Sequence, residues 1–268
     1  MVNLLARYFY KILVFNINKL LTLCKIKVNK LLITGFLLFS SLRGFSTCIV
    51  IYIASNGHIY VAADSRRTFY IDDDKTRTES ICKIHNVGNT YFAISGFDDG
   101  GLLSAANNAL EQNTDTQAAI KAFGAAMTAR YQHLMDEAQR FYPDMLQKFL
   151  DNGLAEVAFF GYTDNQPRIQ DVQFRVYLKK NKPVVSYRVL PVAFLAVIGI
   201  SKDIDEAAPG ELPSKETMLQ TPGLYVEELV ELEAAKQPLT VGGPVDLLEL
   251  KPDGAVWLKK NNNEASIQ

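Results

Sequence analysis

Residues 47–64 read Thr47-Cys-Ile-Val-Ile-Tyr-Ile-Ala-Ser-Asn-Gly-His-Ile-Tyr-Val-Ala-Ala-Asp64, two short apolar, β-branched runs separated by Ser55-Asn-Gly57. Asn-Gly is the strongest short hairpin signal, because both residues tolerate the positive φ that tight turns require. The segment is expected to be a β-hairpin whose second strand ends on a carboxylate, Asp64. A charge at the end of a buried strand is costly unless it is paired, so Asp64 calls for a cation. Lys83 is the candidate, since it lies between Cys82 and Ile84 in a second apolar run, Ser80 to Asn86, where an unpaired ammonium would be expensive. Spacing alone is equally compatible with a surface-turn aspartate and an edge-strand lysine.

Upstream of the hairpin the composition changes. Residues 1–46 contain no Asp or Glu, and Lys25, Lys27 and Lys30 precede an apolar run from Leu31 to Leu42. Gly44-Phe-Ser46 then offers small residues at the −3 and −1 positions of a cleavage site after Ser46, as in a secretory signal peptide. The run is short of the roughly 20 residues that a membrane-crossing helix needs, which favours a cleaved leader over an anchor. A second apolar stretch, Leu4 to Phe15, is unusual for a signal and is compatible with translation starting near Val28. The leader implies signal peptidase as the maturation partner and an exported protein, periplasmic or extracellular, membrane-associated only if the leader is retained.

Downstream, Thr90 to Ile94 follows Ser80 to Asn86 across Val87-Gly-Asn89, so two more core strands are expected. Helical periodicity begins at Gly101, with Leu103, Ala106 and Leu110 on one face, and continues in a longer helix carrying Phe123, Met127, Tyr131, Leu134 and Ala138. Pro143 kinks or ends it. Strands return at Glu156–Tyr162, Asp171–Leu178 and Val184–Leu190. A helix over about Gly223–Ala235 and a hairpin, Asp246–Leu250 with Ala255–Leu258 across Lys251-Pro-Asp-Gly254, follow. Two blocks of strands separated by helices fit an α+β sandwich of two sheets with helices outside, not alternating βαβ units. Three parts are expected: a leader over 1–46, one domain over 47–260, and a disordered polar tail over 261–268.

Charge and composition exclude some partners. The 28 basic and 29 acidic residues leave a net charge of −1, so there is no electrostatic case for nucleic acid. The histidines, His58, His85 and His133, are dispersed, without metal-ligand spacing, and no cofactor or metal is called for. Cys24 lies in the leader, which leaves Cys48 and Cys82 as an exported pair compatible with a disulfide, although Cys82 must face away from the site if its neighbour Lys83 faces it.

Thr47-Cys-Ile-Val-Ile-Tyr-Ile, Asn56-Gly-His-Ile-Tyr-Val-Ala-Ala-Asp-Ser-Arg66, Cys82-Lys-Ile84 and Tyr91-Phe-Ala-Ile-Ser-Gly96 together resemble, in order and approximate spacing, the first third of a proteasome β-type subunit. Residues 56–64 are also similar to the Asn-Gly-His hairpin and Ala-x-Asp ending of the bacterial proteasome-like peptidases. Beyond residue 97, Gly161, Val197-Ile-Gly-Ile-Ser201 and the closing hairpin are compatible with the family without identifying it. The resemblance implies the four-layer αββα sandwich of the N-terminal-nucleophile (Ntn) hydrolases. It also implies an amide-bond hydrolase acting on a peptide or small amide substrate, and it is compatible with a homo-oligomer.

In that family the first residue of the mature chain attacks with its side chain, and its own α-amine, with a reference pKa near 7.7–8.0, takes the proton. Carried over, Lys83 would lower the nucleophile's pKa and Asp64 would orient that lysine. The backbone N–H of Gly96 would stabilise the oxyanion, a contribution of roughly 2.7–4 kcal/mol for one such donor. Ser65 and Arg66 would support Asp64; Ser201 matches the family's later serine too loosely to be assigned. The lengthened Asp64–Lys83 spacing, through Asp72-Asp-Asp74, departs from the family, although a surface loop absorbs such an insert at small entropic cost.

Thr47 and Cys48 remain rival nucleophiles. Cleavage after Ser46 favours Thr47, the family's usual residue type. Register favours Cys48, because the family's aspartate follows its nucleophile by sixteen residues, and 64 − 48 = 16. A one-residue shift turns a strand side chain to the other face unless the hairpin takes up the extra residue as a bulge. Two other functions compete: a catalytically inactive proteasome-like scaffold, and a surface lipoprotein anchored through Cys48, for which Phe45-Ser-Thr47 is a poor lipidation context.

Overall fold

The computed structural model describes residues 43–45, 47–72, 75–98, 100–208 and 210–261, with backbone alone for 43–45, 69–72 and 75–77. The apolar runs of the expected leader up to Leu42, Cys24, Asp73-Asp74 and all of the expected tail beyond Asn261 lie outside the described residues.

The chain is mixed α+β with antiparallel sheets. Strands β1 (Arg43–Phe45), β2 (Cys48–Ile53) and β3 (Ile59–Asp64) come first, then β4 (Arg66–Asp72), β5 (Lys75–Ser80), β6 (Ile84–Val87) and β7 (Thr90–Asp98). Helices α1 (Leu102–Gln112), α2 (Thr116–Phe141) and α3 (Pro143–Asn152) lead to β8 (Ala155–Thr163), β9 (Gln166–Lys179), β10 (Lys182–Val192) and β11 (Leu195–Gly199). Short helices α4 (Lys202–Asp205) and α5 (Lys215–Gln220), the longer α6 (Pro222–Lys236), and strands β12 (Val245–Lys251) and β13 (Gly254–Lys259) complete it. One sheet runs β10-β9-β8-β7-β1-β4-β5, with β6 also on β7; the other runs β11-β2-β3-β12-β13.

The expected first hairpin is present. Ile49 pairs with Ala63 and Ile53 with Ile59, without a register shift along the pair. Ala54 N–H donates to His58 O and Gly57 N–H to Ala54 O, both at 2.9 Å, and Gly57 takes the positive φ of +79° that closes the connection. No bulge absorbs an extra residue, so the side chains of β2 alternate strictly.

That alternation divides the core. Ile49, Ile51, Ile59, Val61 and Ala63 pack with Ala93, Ala158, Phe160 and Ile169 of the other sheet. Cys48, Val50, Tyr52 and Ala62 point the other way, onto Val226, Leu229 and Val230 of α6 and Ile204 of α4. On the far side of the larger sheet, Phe159 and Phe174 meet the Phe123 ring of α2 edge-on, and the Tyr131 hydroxyl donates to Phe97 O at 2.6 Å. Each fully buried Ile, Val or Phe contributes about 1.5–3 kcal/mol. Both faces of the β2–β3 hairpin are covered, which is why its sequence is a near-continuous apolar run.

Several expectations need correction. In α1 the buried stripe is Leu102, Ala106, Ala109 and Leu110, so Leu103 faces outward; in α2, Met135 takes the core position expected of Leu134. Of the two outcomes expected at Pro143, the long helix ends just before it, at Phe141, without a kink, and Pro143 also begins α3 at its first turn, where its missing N–H costs nothing. Residues 81–83 are irregular, and only from Ile84 does a strand resume, so Lys83 is not inside a strand. The β4–β5 hairpin was not anticipated. Arg43–Phe45, expected to belong wholly to a separate leader, form a strand between β7 and β4, with Phe45 opposite Gly96 and Gly44 opposite Thr68. No helix among the described residues is long and apolar enough to cross a membrane.

Candidate active site

Asp64, the last residue of β3, sits opposite the start of β2, and its side chain is fully enclosed. It is met from three directions. Cys48 N–H donates to Oδ1 at 2.9 Å, Lys83 Nζ donates to the same oxygen at 2.8 Å, and Gly242 N–H donates to Oδ2 at 3.0 Å. The ion pair expected from sequence is therefore formed, with both side chains about 1% exposed or less. A carboxylate buried with an ammonium and two backbone donors escapes most of the penalty of an isolated charge. Leaving the strand geometry at 81–83 is what lets Lys83 turn its amine onto Asp64.

Burial is the larger influence on Lys83, pulling its pKa down, and the Asp64 carboxylate opposes it. The Cys48 thiol is pushed well above the usual cysteine value, first by burial and then by the Asp64 and Glu233 carboxylates; Lys83 acts in the opposite direction. With Cys48 internal to the chain, the thiol is consequently held protonated, and the nitrogen of Cys48 is a peptide N–H, not an amine.

The neighbouring motif residues brace this centre. Arg66 donates through Nη1 to Pro238 O and, at 3.4 Å, to Val241 O, while its own N–H donates to Gly242 O at 2.8 Å. The guanidinium thereby fixes the 238–242 turn that brings Gly242 N–H to Asp64. A Cβ on Gly242 would lie 3.0 Å from that guanidinium, and one on Gly243 2.6 Å from Ser65 Oγ. Ser65 Oγ accepts from Ser80 Oγ at 2.7 Å, tying the end of β5 to the end of β3. Sequence spacing gave no signal for the 238–243 turn, whose importance rests on backbone contacts.

Thr47 and Cys48 diverge. Strand alternation turns Cys48 toward Asp64, Lys83 and α6, whereas Thr47 precedes β2 and is outside its alternation. Thr47 Oγ1 is buried without a hydrogen-bond partner among the described residues. Its carbonyl accepts from Ile200 N–H at 2.7 Å, and a Cβ on Gly199 would collide with that carbonyl and with Ser95 Oγ. Gly199 N–H in turn donates to Glu156 Oε2 at 2.9 Å. Ser201 donates to Asp205 Oδ2 at 2.8 Å, within α4's own first turn.

Gly96 lies in β7 between β8 and β1. Its φ of +100° and a Cβ position 2.6 Å from Ala155 Cα leave room for glycine alone. Cys48 lies on the helix side of β2 and Cys82 in the cluster between the sheets, so no disulfide joins the two. No protein-family profile matches the chain, and a search of curated proteins returns no match.

Proposed function

We propose that the chain is an exported Ntn hydrolase of the proteasome-subunit type, an αββα sandwich that cleaves peptide or amide bonds with Cys48 as nucleophile. The observation that carries this reading is the enclosed Asp64–Lys83 pair sharing one carboxylate oxygen with the nitrogen of Cys48. A structural ion pair needs no cysteine at that point, whereas a terminal nucleophile needs both a cation near its side chain and an acceptor near its nitrogen. The αββα reading is supported by an apolar cluster shared between the two sheets and by helices against the outer face of each.

In this mechanism, removal of the segment ending at Thr47 converts the Cys48 N–H into a free amine. The amine takes the thiol proton, sulfur attacks the substrate carbonyl carbon, and Gly96 N–H stabilises the oxyanion. The amine then protonates the departing nitrogen. Water hydrolyses the thioester, returning the proton to the amine and releasing the acid product. Lys83 favours the thiolate, and Asp64 keeps the lysine charged and placed.

Strand β1 bears on the substrate. It is the sole strand joining β4 to β7 in the sheet order, and it leads within three residues into Cys48. Removing it would expose the edges of β4 and β7, each antiparallel to the strand removed, as a slot for an extended peptide recognised by main-chain hydrogen bonds. The test uses the processed chain and a panel of fluorogenic peptide amides: hydrolysis is expected in wild type and Thr47→Ala and lost in Cys48→Ala. Hydrolysis that survives Cys48→Ala would overturn the assignment, and a processed wild type that captures no thiol-directed electrophile would favour the scaffold reading.

A further inference from the structure

The pocket that receives the Cys48 side chain contains a charged group that the mechanism above does not use. Glu233 projects from α6, one turn beyond Val230, which packs in the same cluster as Cys48 and Ile204. Its side chain is fully enclosed. Oε2 accepts from the N–H groups of Asp203 and Ile204, each at 3.1 Å, and this fixes the carboxyl against α4. Oε1 is equally buried and makes no hydrogen bond of ordinary geometry among the described residues, and the side chain close enough to act on this carboxyl is another acid, Asp203. A buried carboxyl oxygen left without a donor is costly, so its retention asks for an explanation.

The nitrogen of residue 48 supplies one. As a peptide N–H it has one proton and one acceptor, Asp64 Oδ1. A terminal ammonium carries three protons, and Asp64 Oδ1 is already shared with Lys83. The freed nitrogen then has too few acceptors on the Asp64 side, while the Glu233 carboxyl already acts on Cys48 from the α6 side. Resting on the reading of Cys48 as the mature terminus, we propose that Glu233 is a positioning residue, whose free Oε1 accepts a hydrogen bond from the α-ammonium of Cys48 and holds the amine beside the thiol.

The charged groups around this point are few. Asp64 from β3, Lys83 from the 81–83 segment, Asp205 from α4 and Glu233 from α6 act on Cys48, and Asp203 from α4 lies against Glu233 itself. Burial and the Asp203 carboxylate both disfavour ionisation of Glu233 in the unprocessed chain. An ammonium would reverse that balance, because an opposite charge at hydrogen-bond distance favours the charged form. Leader removal and Glu233 ionisation are therefore coupled.

Glu233→Gln isolates the free oxygen. Its amide oxygen can still accept from Asp203 and Ile204, leaving an NH2 group, a donor, toward the amine. The full chain is produced with its leader, and the processed form of wild type, Glu233→Gln and Glu231→Gln is recovered. Glu231 is an exposed residue of the same helix. Capture of Cys48 by iodoacetamide is then followed across pH by peptide mass. Loss of a neighbouring negative charge lowers the pKa of both ammonium and thiol, so the midpoint of capture in Glu233→Gln is expected about one pH unit below wild type, with Glu231→Gln superimposed on wild type. A Glu233→Gln midpoint equal to that of wild type, with unchanged thermal melting, overturns the proposal. Thiol capture is independent of amide hydrolysis: a shifted midpoint in a protein that cleaves no amide would retain Glu233 and reject the hydrolase reading, whereas active enzyme with an unshifted midpoint would do the reverse.

Discussion

Thr47 and Cys48 are neighbours in the chain, yet they belong to different environments. Cys48 faces a pocket built around Asp64, whose oxygens meet an ammonium and two backbone donors, and the Glu233 carboxyl of α6, held against α4, acts on it as well. Thr47, just before β2, has a buried hydroxyl without a hydrogen-bond partner among the described residues and a carbonyl that accepts from Ile200 N–H. The contrast follows register: with no shift between β2 and β3, it is Cys48 whose N–H meets the Asp64 carboxylate.

The largest expected effect follows directly. Cys48→Ala should reduce hydrolysis by the processed chain by about a thousandfold or more, since removal of a nucleophile commonly does, while Thr47→Ala should change kcat/KM by less than about threefold. Equal losses in the two variants would erase the distinction between the two residues.

Next in size is the ion pair that defines the Cys48 side. Asp64→Asn leaves a buried ammonium without its counter-charge, a change that costs about 3–5 kcal/mol, to be read from urea unfolding of the full chain. Lys83→Met in the Asp64→Asn background should recover a large part of that loss, because the uncompensated charge is gone. A single-variant cost below about 1 kcal/mol would mean that the pair is solvated and unfit to tune a nucleophile.

The face between the sheets makes its own pH prediction. Burial, reinforced by Glu156, raises the Asp171 carboxyl from 3.8 to about 6, and its Oδ1 has no hydrogen-bond partner among the described residues. Between these values the folded chain binds more protons than the unfolded one, so this residue's contribution to stability is complete below about pH 4 and is lost as the pH rises through about 6. The loss is of the order of 2–3 kcal/mol. Asp171→Asn should flatten the unfolding free energy across that window; an unchanged pH profile would show that Asp171 titrates normally.

Much of this arrangement was legible in the sequence. The hairpin, the closing strands and the Asp64–Lys83 pair follow from β-branched runs, an Asn-Gly turn and the cost of burying a lone charge, whereas the register between Thr47 and Cys48 stays open in the sequence and is fixed by the unshifted β2–β3 pairing. What escaped depends on contacts distant in sequence. The strand at Arg43–Phe45 carries no pattern of its own and is fixed by edges on β4 and β7. The 238–243 turn acts through backbone N–H and C=O groups, which any sequence supplies. Glu233 occurs in a run with Glu227, Glu228 and Glu231, and only the packing of α6 separates it from an ordinary solvated acid. One position in each of the α1 and α2 stripes is off by a residue, because adjacent apolar residues, Leu102-Leu103 and Leu134-Met135, satisfy a helical period equally well.

The smallest effect concerns the second thiol. Cys82 packs between the sheets and donates weakly to Ile84 O at 3.2 Å. Cys82→Ala should cost about 1 kcal/mol of stability through a small cavity and leave hydrolysis and Cys48 capture unchanged. A loss of activity there would join the two faces functionally and weaken the contrast between them.

The most direct test of the account is to react the processed chain with an electrophilic peptide and locate both the mature terminus and the adduct by mass spectrometry. The expected result is a chain that begins at Cys48 and carries the peptide on that residue's sulfur. A chain that begins at Thr47 and carries the adduct on the threonine oxygen would contradict it.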